Sequence, residues 1–290
     1  MEKNVIDGET RMRSGSRVRY WLRMCLPPLL VDAYRKWARK GVRFVGAYPD
    51  WASARAASVG YDAQLILDRV STAQDKVLRG EAAYERDSVT FDVVEYPFPL
   101  LAGLLRAANE TGGALRVIDF GGALGSTYFQ CRAFLDRLPM VHWHVVEQAN
   151  FVEHGRARFE SDRLRFVSTI SASQEIMRPD VVLFCSVLQY IEDVAVRLQE
   201  AIDSGCAYII IDRTPMSVLD DDALCVQHVP AEIYAASYPC AILSEARLRS
   251  LLDDHFELIA EFDALGGGGE VEGVKTAVPF FYKGMIWRKR

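Results

Sequence analysis

Asp119 closes the run Arg116-Val117-Ile118-Asp119-Phe120 and stands just ahead of Gly121-Gly122-Ala123-Leu124-Gly125-Ser126, and Glu147 closes the later run Val145-Val146-Glu147. A β-branched run that ends on an acid, breaks at glycines and restarts at a serine is the pattern of a strand, a tight turn and a helix N-terminus. Ser126 is expected to cap that helix through its hydroxyl. Glycines at such a turn tolerate positive φ and let a ligand touch the main chain, which makes the turn a nucleotide-type cofactor site at the carboxyl end of a first parallel strand. The plainer alternative is an Asp that ends the strand and caps the turn.

The acid selects among cofactors. A pyrophosphate would be repelled by the Asp119 carboxylate, whereas an ammonium or a sulfonium would be attracted, directly or through water. S-adenosyl-L-methionine carries both cations and no phosphate. Glu147 lies where a second-strand carboxylate accepts hydrogen bonds from both ribose hydroxyls, a feature shared by NAD and S-adenosylmethionine. The expected cofactor-binding residues are Asp119, Gly121, Gly122, Gly125, Ser126 and Glu147, joined by Ser186 and Val187 at the end of another strand.

Sites in open α/β sheets lie beyond the carboxyl ends of the strands, and that rule brings Cys185, Ser186, Gln189, Tyr190, Asp212, Arg213 and Thr214 to one pocket. Each also has an ordinary role as a turn or cap residue, and Asp212 and Arg213 can simply pair with each other. Gln227-His228-Val229-Pro230, Tyr234 and Ser237-Tyr238-Pro239 add aromatic and hydrogen-bonding groups suited to a polyhydroxylated acceptor, or else half-buried packing in a loop. Gln189, Tyr190, Arg213, Gln227, Tyr234 and Tyr238 are the expected substrate-binding residues. Transfer to a hydroxyl requires removal of its proton. His228 is the first candidate base, because an imidazole titrates near about 6.5, and Asp212 is the second; a buried structural histidine is the competing role for His228.

The elements that must position these groups follow from composition and periodicity. With 290 residues, half of them hydrophobic and a quarter charged, the chain can bury one large α/β core and an accessory layer, and its net charge of −5 disfavours nucleic acid as a partner of the whole surface. Six scattered cysteines without a CxxC pair read as reduced thiols, and His142 and His144 share a strand face with no third ligand nearby in sequence, so no metal site is expected. Residues 1–45 form a basic arm that interleaves arginines with Tyr20, Trp21, Leu22, Leu29, Leu30 and Trp37. Such an arm either lies on an anionic membrane surface or packs its apolar side as a cover; the cover is favoured, since amphipathic helices are mostly core-facing. It is too short and too charged to span a bilayer, and no cleavage site marks a signal peptide.

Residues 46–113 read as a helical cover, with Asp50 and Asp62 as N-caps and Gly60 and Gly80 as stops; the polar, aromatic stretch 84–91 reads as a loop that closes over a ligand or merely connects. From 114 onward strands and helices alternate: His142–Val146, Leu164–Val167, Asp180–Ser186 and Ala207–Ile211 are strands, helices fall at 127–138 and 244–252, and an insertion at about 215–242 covers the pocket. The segments 257–262 and 280–287 make a last strand pair, joined through a mobile Gly266-Gly267-Gly268-Gly269 connection.

Taken together, Val117-Ile118-Asp119-Phe120-Gly121-Gly122-x-x-Gly125, Val145-Val146-Glu147 and Asp180-Val181-Val182-Leu183-x-x-x-Val187-Leu188-x-Tyr190 resemble a class I S-adenosylmethionine-dependent methyltransferase from about Leu115 onward. Phe44-Val45-Gly46-x-Tyr48-x-x-Trp51, Gly60-Tyr61-Asp62 and Ser237-Tyr238-Pro239 are similar to a bacterial methyltransferase family met among surface-polysaccharide genes. The resemblance implies a Rossmann-like, doubly wound, mostly parallel sheet of seven strands with an N-terminal helical extension. It further implies methyl transfer to an oxygen of a small molecule or glycan, in a cytoplasmic protein with or without peripheral contact at the inner membrane face. The usual loop has a glycine where Ala123 stands. An NAD(P)-dependent oxidoreductase and a noncatalytic module that keeps the fold remain the alternatives; the first lacks a Tyr-x-x-x-Lys pair here, and the second draws on Ala123.

Overall fold

The computed structural model describes residues 41–60, 63–231 and 235–290. The chain divides into two compact units, Met1–Val42 and Arg43–Arg290, and the described elements belong to the second. The basic arm up to residue 40, the cap expected at Asp62 and the substrate contact expected at Tyr234 lie outside the described residues.

In chain order the elements are β1 (Arg43–Val45), α1 (Trp51–Ala56), α2 (Ala63–Leu78), β2 (Tyr84–Arg86), β3 (Val89–Phe91), α3 (Phe98–Glu110), β4 (Ala114–Phe120), α4 (Ser126–Leu135), β5 (Met140–Val146), α5 (Ala149–Arg158), β6 (Leu164–Val167), α6 (Ile170–Gln174), β7 (Val181–Cys185), a 3-10 turn (Leu188–Tyr190), α7 (Val194–Asp203), β8 (Tyr208–Ser217), β9 (Ala223–Val229), β10 (Ala236–Ser244), α8 (Glu245–Ser250), β11 (Phe256–Glu270) and β12 (Pro279–Lys289). Local chemistry accounts for their ends. Asp50 caps α1 by accepting from Ser53 N at 2.7 Å, Ser244 caps α8, and α3 begins at a Pro-Phe-Pro break and buries Leu100, Leu101, Leu104, Ala107 and Ala108 along one stripe.

Strands β6, β5, β4, β7 and β8 pair in parallel in that order. Beyond β8 comes β12, antiparallel, and β11 pairs antiparallel with β12. Alternate residues feed opposite faces: Val117, Val181, Leu183, Tyr208 and Ile210 join one core, while Ile118, Val182, Phe184, Ile209 and Ile211 join another. A sheet buried on both faces by helices is the doubly wound arrangement the sequence implies. The expected count of seven strands is too small, because among the described residues this mixed sheet has ten.

The three extra strands arise where β8 outruns its neighbour. Sequence places the strand end at Ile211, before the breaker-like Asp212-Arg213-Thr214-Pro215, yet β8 runs on to Ser217 because Thr214, Pro215 and Met216 pair with β12. On the edge that β7 leaves free, Met216 and Ser217 pair in parallel with Leu243 and Ser244 of β10, and β9 and then β1 follow antiparallel. Phe44, Cys225, Cys240, Ile242, Val271, Val278 and Phe280 form a third core under this wing. Two further expectations change. Residues 84–91 are a β2–β3 hairpin, and Gly266–Gly269 lie inside β11, where Gly268 and Gly269 pair with Phe281 and Phe280. A Cβ on Gly269 would stand 2.8 Å from the Phe280 ring, so this glycine serves packing across the strands.

Opposite Ile211 and Thr214 the ladder skips a residue: Met285 pairs with Ile211 and Lys283 with Thr214, leaving Asp212 and Arg213 to face Gly284 alone in a β-bulge. A Cβ on Gly284 would lie 2.2 Å from the Phe262 ring and 3.0 Å from the Ile211 carbonyl oxygen. Gly284→Ala is therefore expected to destabilise the protein by about 1–3 kcal/mol through overpacking, read as a lowered denaturation midpoint; an unchanged midpoint would mean that β11 yields freely.

Candidate active site

At the carboxyl end of β4 the chain turns under unusual crowding. Gly121 has φ +71° and donates its N–H to the Val146 carbonyl at 2.9 Å, and a Cβ on it would stand 2.3 Å from Val187 Cγ2. Only glycine meets both conditions. Below the next residue lies Asp119, which is fully buried; a Cβ on Gly122 would be 2.5 Å from its Oδ2. Trp143 Nε1 donates to Asp119 Oδ2 at 3.0 Å, and Oδ1 is buried without a partner. Burial pushes this carboxyl up to about 7 against the Trp143 bond, which favours the ionised form. Asp119 thus sits beneath the turn, where direct contact with a ligand cation, one of the two modes expected from sequence, is closed off.

Gly125, at φ +87°, occupies the N-cap position of α4, and Ser126 is the first helical residue. The expected hydroxyl cap does not form. Instead Ser126 Oγ donates to Glu85 Oε1. Glu85 is 2% exposed, its Oε2 accepts from Ser88 N at 3.3 Å, and burial, with Asp87 nearby, pushes its carboxyl up to about 8. Sequence offered only a weak signal for this residue: Asp87 and Ser88 both adopt positive φ between two three-residue strands, without the Asn-Gly or Asp-Gly pair that marks such a hairpin turn. Tyr84 and Phe91 stack across it at 4.7 Å.

Glu147 follows β5 and is half-buried. It accepts from Gln148 N at 2.8 Å and from the Ala123 N–H. Burial raises its pKa, while these main-chain donors favour the carboxylate and fix its orientation. Ala123 reaches Glu147 by adopting φ +50°, a strained value for a residue with a Cβ.

The ends of β7 and β8 meet in register, Cys185 opposite Asp212. Ser186 N donates to the Asp212 carbonyl at 2.9 Å, and Gln189 Nε2 donates to Ser186 Oγ at 3.2 Å. Asp212 is 2% exposed, with Cys185 Sγ 3.6 Å from its Oδ2, and burial raises its pKa. Arg213 Nε donates to Cys185 Sγ at 3.4 Å rather than pairing with Asp212. Three of the expected substrate residues come together in one chain: Tyr190 Oη donates to Gln227 Oε1 at 3.0 Å and Gln227 Nε2 donates to Tyr238 Oη at 3.2 Å, the two rings lying edge to face at 5.4 Å. Strand alternation turns His228 to the other face of β9, where it is exposed. The histidine first chosen as base therefore points away from Gln227 and the groups it joins, while Asp212 lies among the groups gathered at β7 and β8.

No protein-family model matches the chain, and no curated protein matches it. Solved structures with a related chain path include the N-terminal domain of EvdMO1 in the presence of SAH and D-fucose, 15% identical over 79% of this chain and 98% of that one, at a TM-score of 0.45. An S-adenosylmethionine-dependent methyltransferase from Clostridium acetobutylicum is 11% identical over 76% of this chain and 98% of that one, at 0.43. The 1,6-didemethyltoxoflavin-N1-methyltransferase of Burkholderia thailandensis, with bound 1,6-didemethyltoxoflavin and S-adenosylhomocysteine, is 16% identical over 87% of this chain and 96% of that one, at 0.38. At these scores the likeness is one of broad path and carries no conclusion about chemistry. Among the described residues no helix is long and apolar enough to cross a membrane.

The buried carboxyl beneath the turn has a thermodynamic signature. Folded Asp119 keeps its proton up to about pH 7, whereas an ordinary Asp releases it near 3.8, so the folded state binds more protons between those values and stability falls as pH rises through them. Asp119→Asn retains an acceptor for Trp143 and removes the titration. It is expected to flatten the stability profile between about pH 4 and about pH 7 and to gain on the order of 1–3 kcal/mol at the upper end. Denaturant melts across that range check this, and parallel slopes for the two proteins would refute it.

Proposed function

We propose that this chain is an S-adenosylmethionine-dependent methyltransferase acting on an oxygen of a small-molecule or glycan acceptor. The observation that carries the reading is the paired arrangement of Asp119 and Glu147 at the ends of adjacent parallel strands, one beneath the glycine turn and the other tied to it through Ala123 N–H. Two features support this cofactor over a dinucleotide. An acid under the turn opposes a pyrophosphate, and an antiparallel β12 beside β8 departs from the six parallel strands of the dinucleotide fold. The buried Asp119 carboxyl, acting through space from beneath the glycine turn, and the Glu147 carboxylate oriented by main-chain donors suit a cationic adenosine cofactor.

When bound, S-adenosylmethionine supplies an electrophilic methyl group on a sulfonium. Glu147 would accept from the ribose hydroxyls; Gly121, Gly122, Gly125, Ser186 and Val187 would line its path, with Ser126 held to Glu85. Tyr190, Gln227 and Tyr238 form a preorganised donor and acceptor chain for a hydroxylated acceptor, and the aromatic edges give it an apolar wall. Asp212 is the proton acceptor in this reading. Burial raises its pKa above the ordinary carboxylate value, which makes it a stronger base toward a hydroxyl proton.

Calorimetric titration decides the cofactor. S-adenosylhomocysteine should bind the wild type, and Glu147→Ala should weaken it by on the order of 1.5–3 kcal/mol, the scale of hydrogen bonds to a charged group. Binding of NAD instead would favour an oxidoreductase, and no response to either ligand would favour a noncatalytic module.

A further inference from the structure

Arg213 is an arginine set in an unusual backbone and left with unused donors. It belongs to the β8 bulge opposite Gly284 and has φ +48°, in the left-handed region that side chains avoid. A bulge in a strand re-aims side chains, here at the cost of local strain. Only Nε has a partner, the Cys185 sulfur; among the described residues no acceptor bonds either terminal nitrogen, and no carboxylate lies within the 4.0 Å ion-pair distance. The acids that feel its charge, Glu85, Asp119 and Asp212, are held elsewhere: Glu85 by Ser126 and Ser88, Asp119 by Trp143, Asp212 by Cys185. Asp87, the remaining acid near Arg213, is exposed to solvent.

One buried polar atom that interacts with this arginine also lacks a partner. The Tyr84 hydroxyl, whose ionisation senses Arg213, is buried and unbonded. A buried hydroxyl beside a guanidinium whose terminal nitrogens bond no described residue places donors of both kinds at the end of β8. The pair of terminal nitrogens presents parallel donors, a fork that matches a carboxylate more closely than a lone hydroxyl.

We propose that Arg213 is a carboxylate-binding fork, its ligand being either the amino-acid end of the cofactor or a carboxylate carried by the acceptor. The inference rests on the methyltransferase reading for the first source only. Arg213→Asn is the informative variant, because Asn tolerates left-handed φ and keeps no charge; Arg213→Lys keeps the charge without the fork. A melting temperature for Arg213→Asn at or above that of the wild type establishes that it folds.

Two titrations follow, one with S-adenosylhomocysteine against methylthioadenosine, which lacks the amino-acid end, and one with D-glucuronate against D-glucose. If the cofactor supplies the carboxylate, Arg213→Asn weakens S-adenosylhomocysteine at least tenfold and leaves methylthioadenosine unchanged, with Arg213→Lys in between. If the acceptor supplies it, both nucleosides bind the variant as before, while D-glucuronate, and not D-glucose, binds the wild type and is lost from Arg213→Asn. An unchanged ratio between the nucleosides together with no Arg213-dependent uptake of D-glucuronate overturns the proposal. If the wild type binds neither nucleoside, the cofactor reading falls by itself, and the D-glucuronate arm on the unliganded protein still decides the fork.

Discussion

A carboxyl group buried beneath a glycine turn constrains everything around it. Asp119 needs a donor inside the protein, which Trp143 supplies from the neighbouring strand β5. It needs a backbone above it without a Cβ, which Gly122 supplies, and it leaves one oxygen without a partner. The turn in turn fixes Val187 against Gly121 and sends the Ala123 N–H to Glu147. Burial of an ionisable group is costly unless it is satisfied or neutralised, so the surroundings of Asp119 favour its protonated form while the Trp143 bond favours the carboxylate.

The parts of this arrangement that sequence exposes are those set by local pattern. The run from Val117 to Gly125 reads correctly as strand, turn and helix start, because β-branched residues and positive-φ glycines leave few alternatives. Strands β4, β5, β6 and β7 are nearly continuous apolar runs, as strands covered on both faces must be. What sequence hides is set by partners distant along the chain. Asp212-Arg213-Thr214-Pro215 looks like a strand end, and only β12, far away in sequence, makes it strand interior. Ser126 looks like a cap, and only the β2–β3 hairpin redirects its hydroxyl to Glu85. The glycine run within β11 looks like a linker until the rings of Phe280 and Tyr282 are seen across it.

The same distinction divides the pocket. Tyr190, Gln227 and Tyr238 share no local motif, and the wing formed by β9 and β10 joins them into one hydrogen-bonded chain. His228 was chosen for its titration range, and its neighbour Gln227 shows why that criterion is insufficient: in a strand one step along the chain exchanges one face for the other. Asp212 and Arg213 escape this alternation because the bulge gives two residues to a single partner.

Strand β12 enters the sheet between β8 and β11, both of which precede it in the chain. Until it is synthesised, the outer edge of β8 exposes unpaired main-chain groups from Tyr208 to Met216, flanked by the apolar residues Ile209, Ile210 and Ile211. The growing polypeptide therefore passes through a stage in which a strand with three consecutive isoleucines is a bare edge, open to pairing with another chain. Closure depends on contacts between segments far apart in sequence, which is intrinsically slow. The order of synthesis is thus a hazard built into this topology, and a chaperone acting late in translation would be most valuable while that one edge waits.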